Sequence, residues 1–379
     1  MTDLVVISLE SWDGVWRRNQ HLIWRMLHAD PALRVLFVEP PADPAHELRS
    51  GRRPRRGRGL DDSTLAGRLW TMRPLKLLPR RLGDRADASI TQQVVRAARR
   101  LGMDDPILWV NDPGGAEISR RTGWRTLYDM TDDWLAADRP AGQLDRVATH
   151  ERFLLADADQ VVACSAELQR RKSAQRPSDR DPVALIRNAV DAEAYRRPSP
   201  RPADLPSGPI VLYVGTLHED RLDIALCETL ARDLGDRGSL VLVGPNALAS
   251  AASVNLRDAG VTLLGPRPHD NVVAYLQHAD VLVVPHAVTP FTDSLDPIKL
   301  YEYQAVGRPV VSTAVAGFRD AEDDRIVIAD RAGFTDAVIA ALRAAKPFPA
   351  GADRAVADWN DRADAMLGIL ASMARPKSP

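Results

Sequence analysis

The sequence predicts an α/β protein made of two parallel-sheet domains, each alternating buried strands with helices. Three observations carry this prediction. Short apolar runs rich in Val, Ile and Leu recur along the chain between helical patterns, the mark of strands buried on both faces of a parallel sheet. A proline-rich break divides the runs into two sets. The 379 residues suffice for about two domains.

Taken in order, the first set comprises Leu4–Leu9, Arg34–Val38, Ile107–Val110, Thr126–Tyr128, Gln160–Ala163 and Val183–Ile186. The break follows as Tyr195-Arg-Arg-Pro198-Ser-Pro200-Arg-Pro202-Ala-Asp-Leu-Pro206-Ser-Gly208, a composition that reads as a linker. The second set comprises Ile210–Val214, Ser239–Val243, Val261–Leu264, Val281–Val284 and Pro309–Ser312. Both sets read as Rossmann-like domains. The expected boundaries are residues 1–190 for the first domain, 191–208 for the linker and 209–350 for the second domain. A final helix is expected over 351–373, where Ala355, Trp359, Ala363, Met366, Leu367 and Leu370 recur at helical spacing.

Bulk composition excludes several classes. Hydrophobic content of 45% and charge of 27% are those of a globular chain. A net charge of −1 gives no global steering toward nucleic acid. Cys164 and Cys227 lie far apart in apolar segments and read as buried thiols in a reducing compartment. They form no zinc-spaced set with His, and no metal is expected. No basic stretch precedes Leu4–Leu9, and no 18-residue apolar run occurs, so the expected location is cytoplasmic. Positive charge is concentrated in Arg49-Ser-Gly-Arg52-Arg53-Pro-Arg55-Arg56-Gly-Arg58. That stretch reads either as a solvated loop or as a patch for anionic lipid, a lipid diphosphate or an acidic partner. It lacks the aromatics that base stacking needs, so no nucleic-acid partner is expected.

The most specific stretch is Asp293-Ser-Leu-Asp296-Pro297-Ile-Lys299-Leu-Tyr301-Glu302-Tyr303-Gln-Ala-Val-Gly307-Arg-Pro309-Val-Val-Ser-Thr313. An acidic, proline-containing turn leads into a short helix that Gly307 stops, and a buried strand follows. The chain fills its basic positions with 45 Arg and only five Lys, so Lys299 stands out as a compact point charge. This stretch resembles the donor-sugar motif of GT-B glycosyltransferases of the retaining E-x7-E group, with a form closest to bacterial teichuronic-acid and exopolysaccharide enzymes. The resemblance implies that Glu302 binds the ribose hydroxyls and that the turn Asp296, Pro297, Ile298 and Lys299 holds the diphosphate. Physically, a helix N-terminus offers unpaired N–H groups to phosphate, and a carboxylate accepts both hydroxyls of a diol. Ser294 stands where the wider pattern places its first Glu.

The same resemblance extends along the second domain. Val211-Leu-Tyr213-Val-Gly215-Thr216 is a strand ending in a glycine turn, where the backbone can approach a ligand. Relatives carry an Arg and a Lys after this turn. Here the segment is His218-Glu219-Asp220-Arg221, which leaves Arg221 or Lys299 for that role. Gly265, Pro266 and Arg267 correspond to the nucleobase wall. His286 follows a strand end and is the His most expected to face the donor.

In the first domain the loop Ser11-Trp12-Asp13-Gly14-Val15-Trp16-Arg17-Arg18-Asn19-Gln20-His21 matches the relatives' R-x-Q-H beginning at Arg18, Gln20 and His21. Gly14 is its flexible point. Arg17 or Arg18 is expected to meet donor phosphate or acceptor. The two Trp read equally as sugar-stacking platforms or as core packing. Tyr128-Asp129-Met-Thr-Asp132-Asp133-Trp134 resembles the relatives' Y-D-x-x-D-D segment, and Asp129 or Asp132 reads either as the group that orients or deprotonates an acceptor hydroxyl or as an N-cap.

The resemblance therefore implies two Rossmann-like domains facing a cleft, with a final helix crossing back to the first. It implies transfer of a sugar from a UDP-, GDP- or dTDP-linked donor to a sugar, lipid-linked or natural-product acceptor without a cofactor. A non-catalytic scaffold and a sugar-nucleotide epimerase are the alternatives on the same fold.

Overall fold

The computed structural model describes residues 2–13, 16–49, 53–65, 67–76, 83–136, 141–345 and 355–374. Two compact units divide the chain. The first holds the chain to Leu135, continues over Arg139–Arg187 and includes the end of the chain from Asn360; the second runs over Asn188–Trp359.

In the first unit the order is β1 (Asp3–Ile7), α1 (Arg18–Ala29), β2 (Arg34–Val38), α2 (Pro44–Arg49), β3 (Arg58–Thr64), β4 (Leu69–Arg73), α3 (Gly83–Arg100), β5 (Ile107–Val110), α4 (Ala116–Thr122), β6 (Thr126–Met130), α5 (Ala141–Asp157), β7 (Gln160–Ala163), α6 (Ala166–Ser173) and β8 (Ala184–Leu185). The sheet order is β3-β4-β2-β1-β5-β6-β7-β8. Every neighbouring pair is parallel except β3–β4. The strand order reverses between β1 and β5, so loops leaving their carboxyl ends meet where such sheets bind ligands.

The second unit contains α7 (Ala192–Arg196), β9 (Ile210–Val214), α8 (Ile224–Leu234), β10 (Ser239–Val243), α9 (Ser250–Asp258), β11 (Thr262–Gly265), α10 (His269–Gln277), β12 (Val281–Val284), α11 (Ile298–Val306), β13 (Val310–Ser312), β14 (Ile326–Ile328) and α12 (Phe334–Ala344). Its all-parallel sheet runs β11-β10-β9-β12-β13-β14. This is the doubly wound order 3-2-1-4-5-6, whose switch point lies between β9 and β12. The continuous apolar strands serve both faces. Ile210 and Leu212 join the core on one side of the sheet, and Val211 and Tyr213 join the core on the other. The last helix, α13 (Trp359–Ala374), lies mostly with the first unit, where Arg125 Nη1 donates to the Met373 carbonyl at 2.5 Å.

Three expectations require correction. The first sheet has eight strands rather than six, because β3 and β4 extend it at the β2 edge. Most of β3 reads Arg-Gly-Leu-Asp-Asp, too polar to register as an apolar run. The second sheet gains β14, a three-residue strand. Residues 191–208, expected as a linker, are packed onto the second unit. Tyr195 and Leu205 are buried in its core, and the Gln277 amide donates to the carbonyls of Tyr195 and Arg197 at 2.8 and 2.7 Å. Proline content reported irregular backbone, not freedom from packing.

Candidate functional site

At the switch point of the second sheet, β9 delivers Gly215 and β12 delivers His286. Gly215 has φ +150°, and a Cβ there would lie 2.7 Å from Lys299 Nζ. The lysine ammonium therefore rests on a spot that only glycine leaves open. Gly244, at φ +148° beyond β10, is packed so closely that its Cβ would collide with the Gly215 carbonyl. The Gly215 and Gly244 amides donate to the carbonyls of Val243 and Gly265 at 2.9 Å each. These glycines thus supply space and close approach rather than free N–H donors. Gly244 was absent from the expected site residues, although its place at a strand end parallels that of Gly215.

Helix α11 points its N-terminus at the same place. Its N-cap is Pro297, with no side-chain cap, and Gly307 closes its far end at φ +78°. The first-turn N–H groups of Ile298 and Lys299 thus face outward without a capping side chain, the arrangement suited to an anion. Gly317 (φ +81°) lets its loop seat on the Pro297 ring, where a Cβ would approach Cδ to 2.9 Å.

Lys299 donates to the Tyr213 hydroxyl at 3.1 Å and lies 4.3 Å from the centroid of that ring. Tyr213 OH and His286 Nε2 are 3.0 Å apart. Burial, reinforced by Arg221 and opposed by Glu302, pushes the Lys299 ammonium down to about 7. Burial, with Lys299 and Arg221 adding repulsion, holds His286 well below its usual value and therefore neutral. Burial likewise raises the Tyr213 phenol. One helical turn from Lys299, Glu302 accepts the Tyr195 hydroxyl at 2.6 Å. Arg221 lies 5.3 Å over the Phe291 ring and 3.7 Å from Asp220. Thr216 and Pro266 are exposed.

Other expected donor residues are engaged by the protein itself. Asp296 is buried, and its carboxylate accepts the Asn188 amide at 2.5 Å and the Tyr301 hydroxyl at 2.9 Å. It is a latch for the turn before α11, so only its backbone can serve a phosphate. Ser294 is fully buried with its hydroxyl on the Phe291 carbonyl at 2.8 Å, which removes its side chain from ligand binding. Arg267 binds Tyr275 OH at 2.8 Å, the Leu264 carbonyl at 2.7 Å and Asp204 at 2.5 Å, locking the Pro-rich stretch rather than presenting a free cation. His286 stands behind Tyr213, not at the surface.

The first unit gathers a second set of groups at the carboxyl ends of β1 and β6. Arg18 opens α1 and forms a buried two-point ion pair with Asp129, at 3.2 and 3.1 Å. The Asn111 amide occupies Asp129 as well, at 3.1 Å. Both Arg18 and Asp129, expected to meet substrate, are thereby corrected to anchors of α1. The three hydrogen bonds that the guanidinium and the amide donate tie this carboxylate to α1 and to the end of β5.

Arg17, the N-cap of α1, faces Glu10 at 3.2 Å. Burial, opposed by Arg17 and aided by Asp132 and Asp13, raises the Glu10 carboxyl to about 7. Glu10 was missed in the sequence, although it directly follows the apolar run Leu4–Leu9. Asp132 shares this field and accepts from Thr131 at 3.3 Å. Its neighbour Asp133 is buried against Lys172 at 3.1 Å. Trp12 packs edge-on to Phe37 at 5.0 Å, with its amide on Glu39 at 3.1 Å. Trp16 meets His21 at 5.4 Å and Trp24 at 5.5 Å. Both Trp remain partly exposed, whereas His21 is buried. Gly14 lies outside the described residues.

Part of the arginine-rich stretch also lies outside them. Of the rest, Arg55 pairs with Glu47 at 2.6 Å, and Arg58 with Glu39 at 2.9 Å; Arg53 and Arg56 are exposed. Among the described residues no group of three or more His, Cys, Asp or Glu could hold a metal ion. No helix is long and apolar enough to cross a membrane among those residues.

Residues 208–344 match the family model described as glycosyl transferases group 1, so the second unit carries a domain of that kind. Among curated proteins, the putative teichuronic acid biosynthesis glycosyltransferase TuaH of Bacillus subtilis is 25% identical over 219 residues, covering 54% of this chain and 55% of TuaH. The D-inositol 3-phosphate glycosyltransferase of Nocardia farcinica is 30% identical over 230 residues, covering 54% of this chain and 50% of that one. The chain thus spans about half the length of the curated relatives it matches. Among solved structures, sucrose-phosphate synthase from Thermosynechococcus elongatus superposes with a TM-score of 0.67 at 17% identity, covering 98% of this chain and 97% of that one. Anabaena HepE in complex with UDP-glucose gives 0.65 at 15% identity, covering 98% and 100%. The fold is that of the GT-B glycosyltransferase structures.

Proposed function

We propose that the protein is a glycosyltransferase that moves a sugar from a nucleotide-diphosphate sugar to an acceptor hydroxyl. One observation carries the reading. At the switch point of a doubly wound sheet, Lys299 holds an ammonium over Gly215 at the uncapped start of α11, with Glu302 one turn further along the same helix. A nucleoside diphosphate has the matching chemistry. The α11 amides and Lys299 stabilise negative charge as the diphosphate leaves, and Glu302 accepts the ribose diol. Arg221 supplies a second cation near Lys299. The family match over residues 208–344 supports the same assignment.

Glu10 and Asp132 are the acceptor-side carboxylates. A carboxyl raised to about 7 is poised for proton exchange with a hydroxyl near neutrality. Similarity to a putative teichuronic acid biosynthesis glycosyltransferase favours a cell-envelope glycan or lipid-linked acceptor over a natural product. The exposed Arg53 and Arg56 suit peripheral contact with an anionic membrane.

A scaffold without chemistry would have no need of an ammonium held without a carboxylate partner, and an epimerase would turn over donor without any acceptor. The test is release of nucleoside diphosphate from UDP-, GDP- and dTDP-sugars with and without glycan or lipid-linked acceptors. Acceptor-dependent release that falls at least ~10-fold in Lys299→Ala supports transfer. Acceptor-independent conversion of the donor sugar supports the epimerase, and no turnover of any donor the scaffold.

A further inference from the structure

We propose that Tyr213 and His286 are positioning residues for Lys299, a buried hydrogen-bonded chain that aims its ammonium into the diphosphate site. This rests on reading Lys299 as the diphosphate cation.

The polarity of the chain follows from what each group can donate. An ammonium has only donors, so Lys299 donates to Tyr213 OH at 3.1 Å. The phenol hydrogen is then directed to His286 Nε2 at 3.0 Å. His286 therefore accepts as a neutral imidazole protonated at Nδ1. That agrees with its burial and with the positive charges of Lys299 and Arg221 around it. Commitment of the phenol hydrogen to His286 leaves the oxygen lone pairs for Lys299 and strengthens it as an acceptor.

Each member is fixed from outside the chain. Tyr213 is fully buried in β9. The backbone of His286 bridges Leu222, and its carbonyl accepts Thr313 Oγ1 at 2.8 Å. Gly215 offers no Cβ to push Lys299 aside.

Lysine has a flexible four-carbon stem, and a carboxylate usually restrains it. Among the described residues Lys299 has no such ion pair: its hydrogen-bond partner is a neutral phenol. A neutral clamp orients the charge without neutralising it, so the ammonium stays available to an incoming dianion. The groups facing the chain are Asp220 and Arg221 from the loop after β9, Glu302 and Tyr303 from α11, and Cys227 from α8. Of these, Arg221 and Glu302 carry the charges that act on Lys299, with opposite sign.

The experiment reads Lys299 directly, without ligand. The sequence has only five lysines, so peptide mass spectrometry after pulse labelling with an amine-reactive reagent resolves Lys299 across pH 5–9. In the wild type its reactivity should titrate near 7. In Tyr213→Phe the ammonium loses its acceptor, and the midpoint should fall, with the amine labelled faster at pH 7. His286→Leu should shift it in the same direction, and His286→Gln, which restores an acceptor for the phenol, should return it toward the wild-type value. A global packing role would not sort the two His286 variants in this way. An unchanged midpoint in both Tyr213→Phe and His286→Leu overturns the proposal. UDP, GDP and dTDP titrations of the same proteins separate the premise. Weakening of roughly tenfold in Tyr213→Phe, as for loss of a hydrogen bond to a charge, supports both. No binding to wild type, with the labelling pattern intact, overturns the diphosphate reading and leaves the positioning chain standing.

Discussion

Tyr195 donates its hydroxyl to Glu302 Oε1 at 2.6 Å, and the tyrosine is 2% exposed while the carboxylate remains partly open. One oxygen of Glu302 is thereby fixed by α7, which restrains the carboxylate proposed above to accept a ribose diol. Tyr195→Phe should weaken binding of a ribonucleoside diphosphate by roughly 3- to 10-fold. It should also narrow discrimination against the 2′-deoxy nucleotide. Calorimetry with UDP and dUDP measures both, and equal affinities in wild type and variant would show that Tyr195 serves packing alone.

The glycines at the strand ends predict a graded response. Gly244→Ala would drive a methyl group into the Gly215 carbonyl at φ +148°. It should cost about 2 kcal/mol or more. Gly59→Ala, with open space and no left-handed backbone, should leave stability within about 0.5 kcal/mol. Urea unfolding of the two variants checks the contrast.

Arg18 and Asp129 are completely buried partners. Arg18→Ala should destabilise by about 3–5 kcal/mol, because it strands a buried carboxylate. Arg17→Ala, at a half-exposed ion pair, should cost less than about 1 kcal/mol. If Asp129→Asn instead keeps full stability and abolishes turnover, Asp129 is a catalytic group after all.

Much of the architecture was legible because buried parallel strands write themselves as apolar runs, as in Val281–Val284. What escaped was polar or short: β3 pairs antiparallel at a sheet edge, and β14 has three residues. The residues placed at the second unit's site were legible at Gly215, Lys299 and Glu302 because turn, charge and helix stop are local signals. Side-chain engagement was not. Asp296 and Arg267 look like ligand-binding residues in sequence, yet their partners Asn188 and Asp204 lie 108 and 63 residues away. Tyr195 and Tyr213 were hidden for the converse reason, as aromatic residues in a presumed linker and in a core strand.

Glu10 gives a pH signature. Burial raises its folded-state carboxyl from 4.5 to about 7, so the native state holds a proton that the unfolded chain releases. Its contribution is therefore fully present below about 4.5 and is lost as pH rises through about 7. Glu10→Gln should remove this component, so the difference in Tm between variant and wild type should grow in favour of the variant from pH 4.5 to 7.5. A difference that stays constant across that range would place the Glu10 carboxyl at its ordinary value.

The nucleoside diphosphate site proposed for the second unit can be probed by calorimetric titration of wild type, Glu302→Ala and Lys299→Ala with UDP, GDP, dTDP, ADP and CDP. One nucleotide should bind in the micromolar range, with its affinity lost in both variants. Absence of binding by every nucleotide, or binding that both variants retain in full, would contradict it.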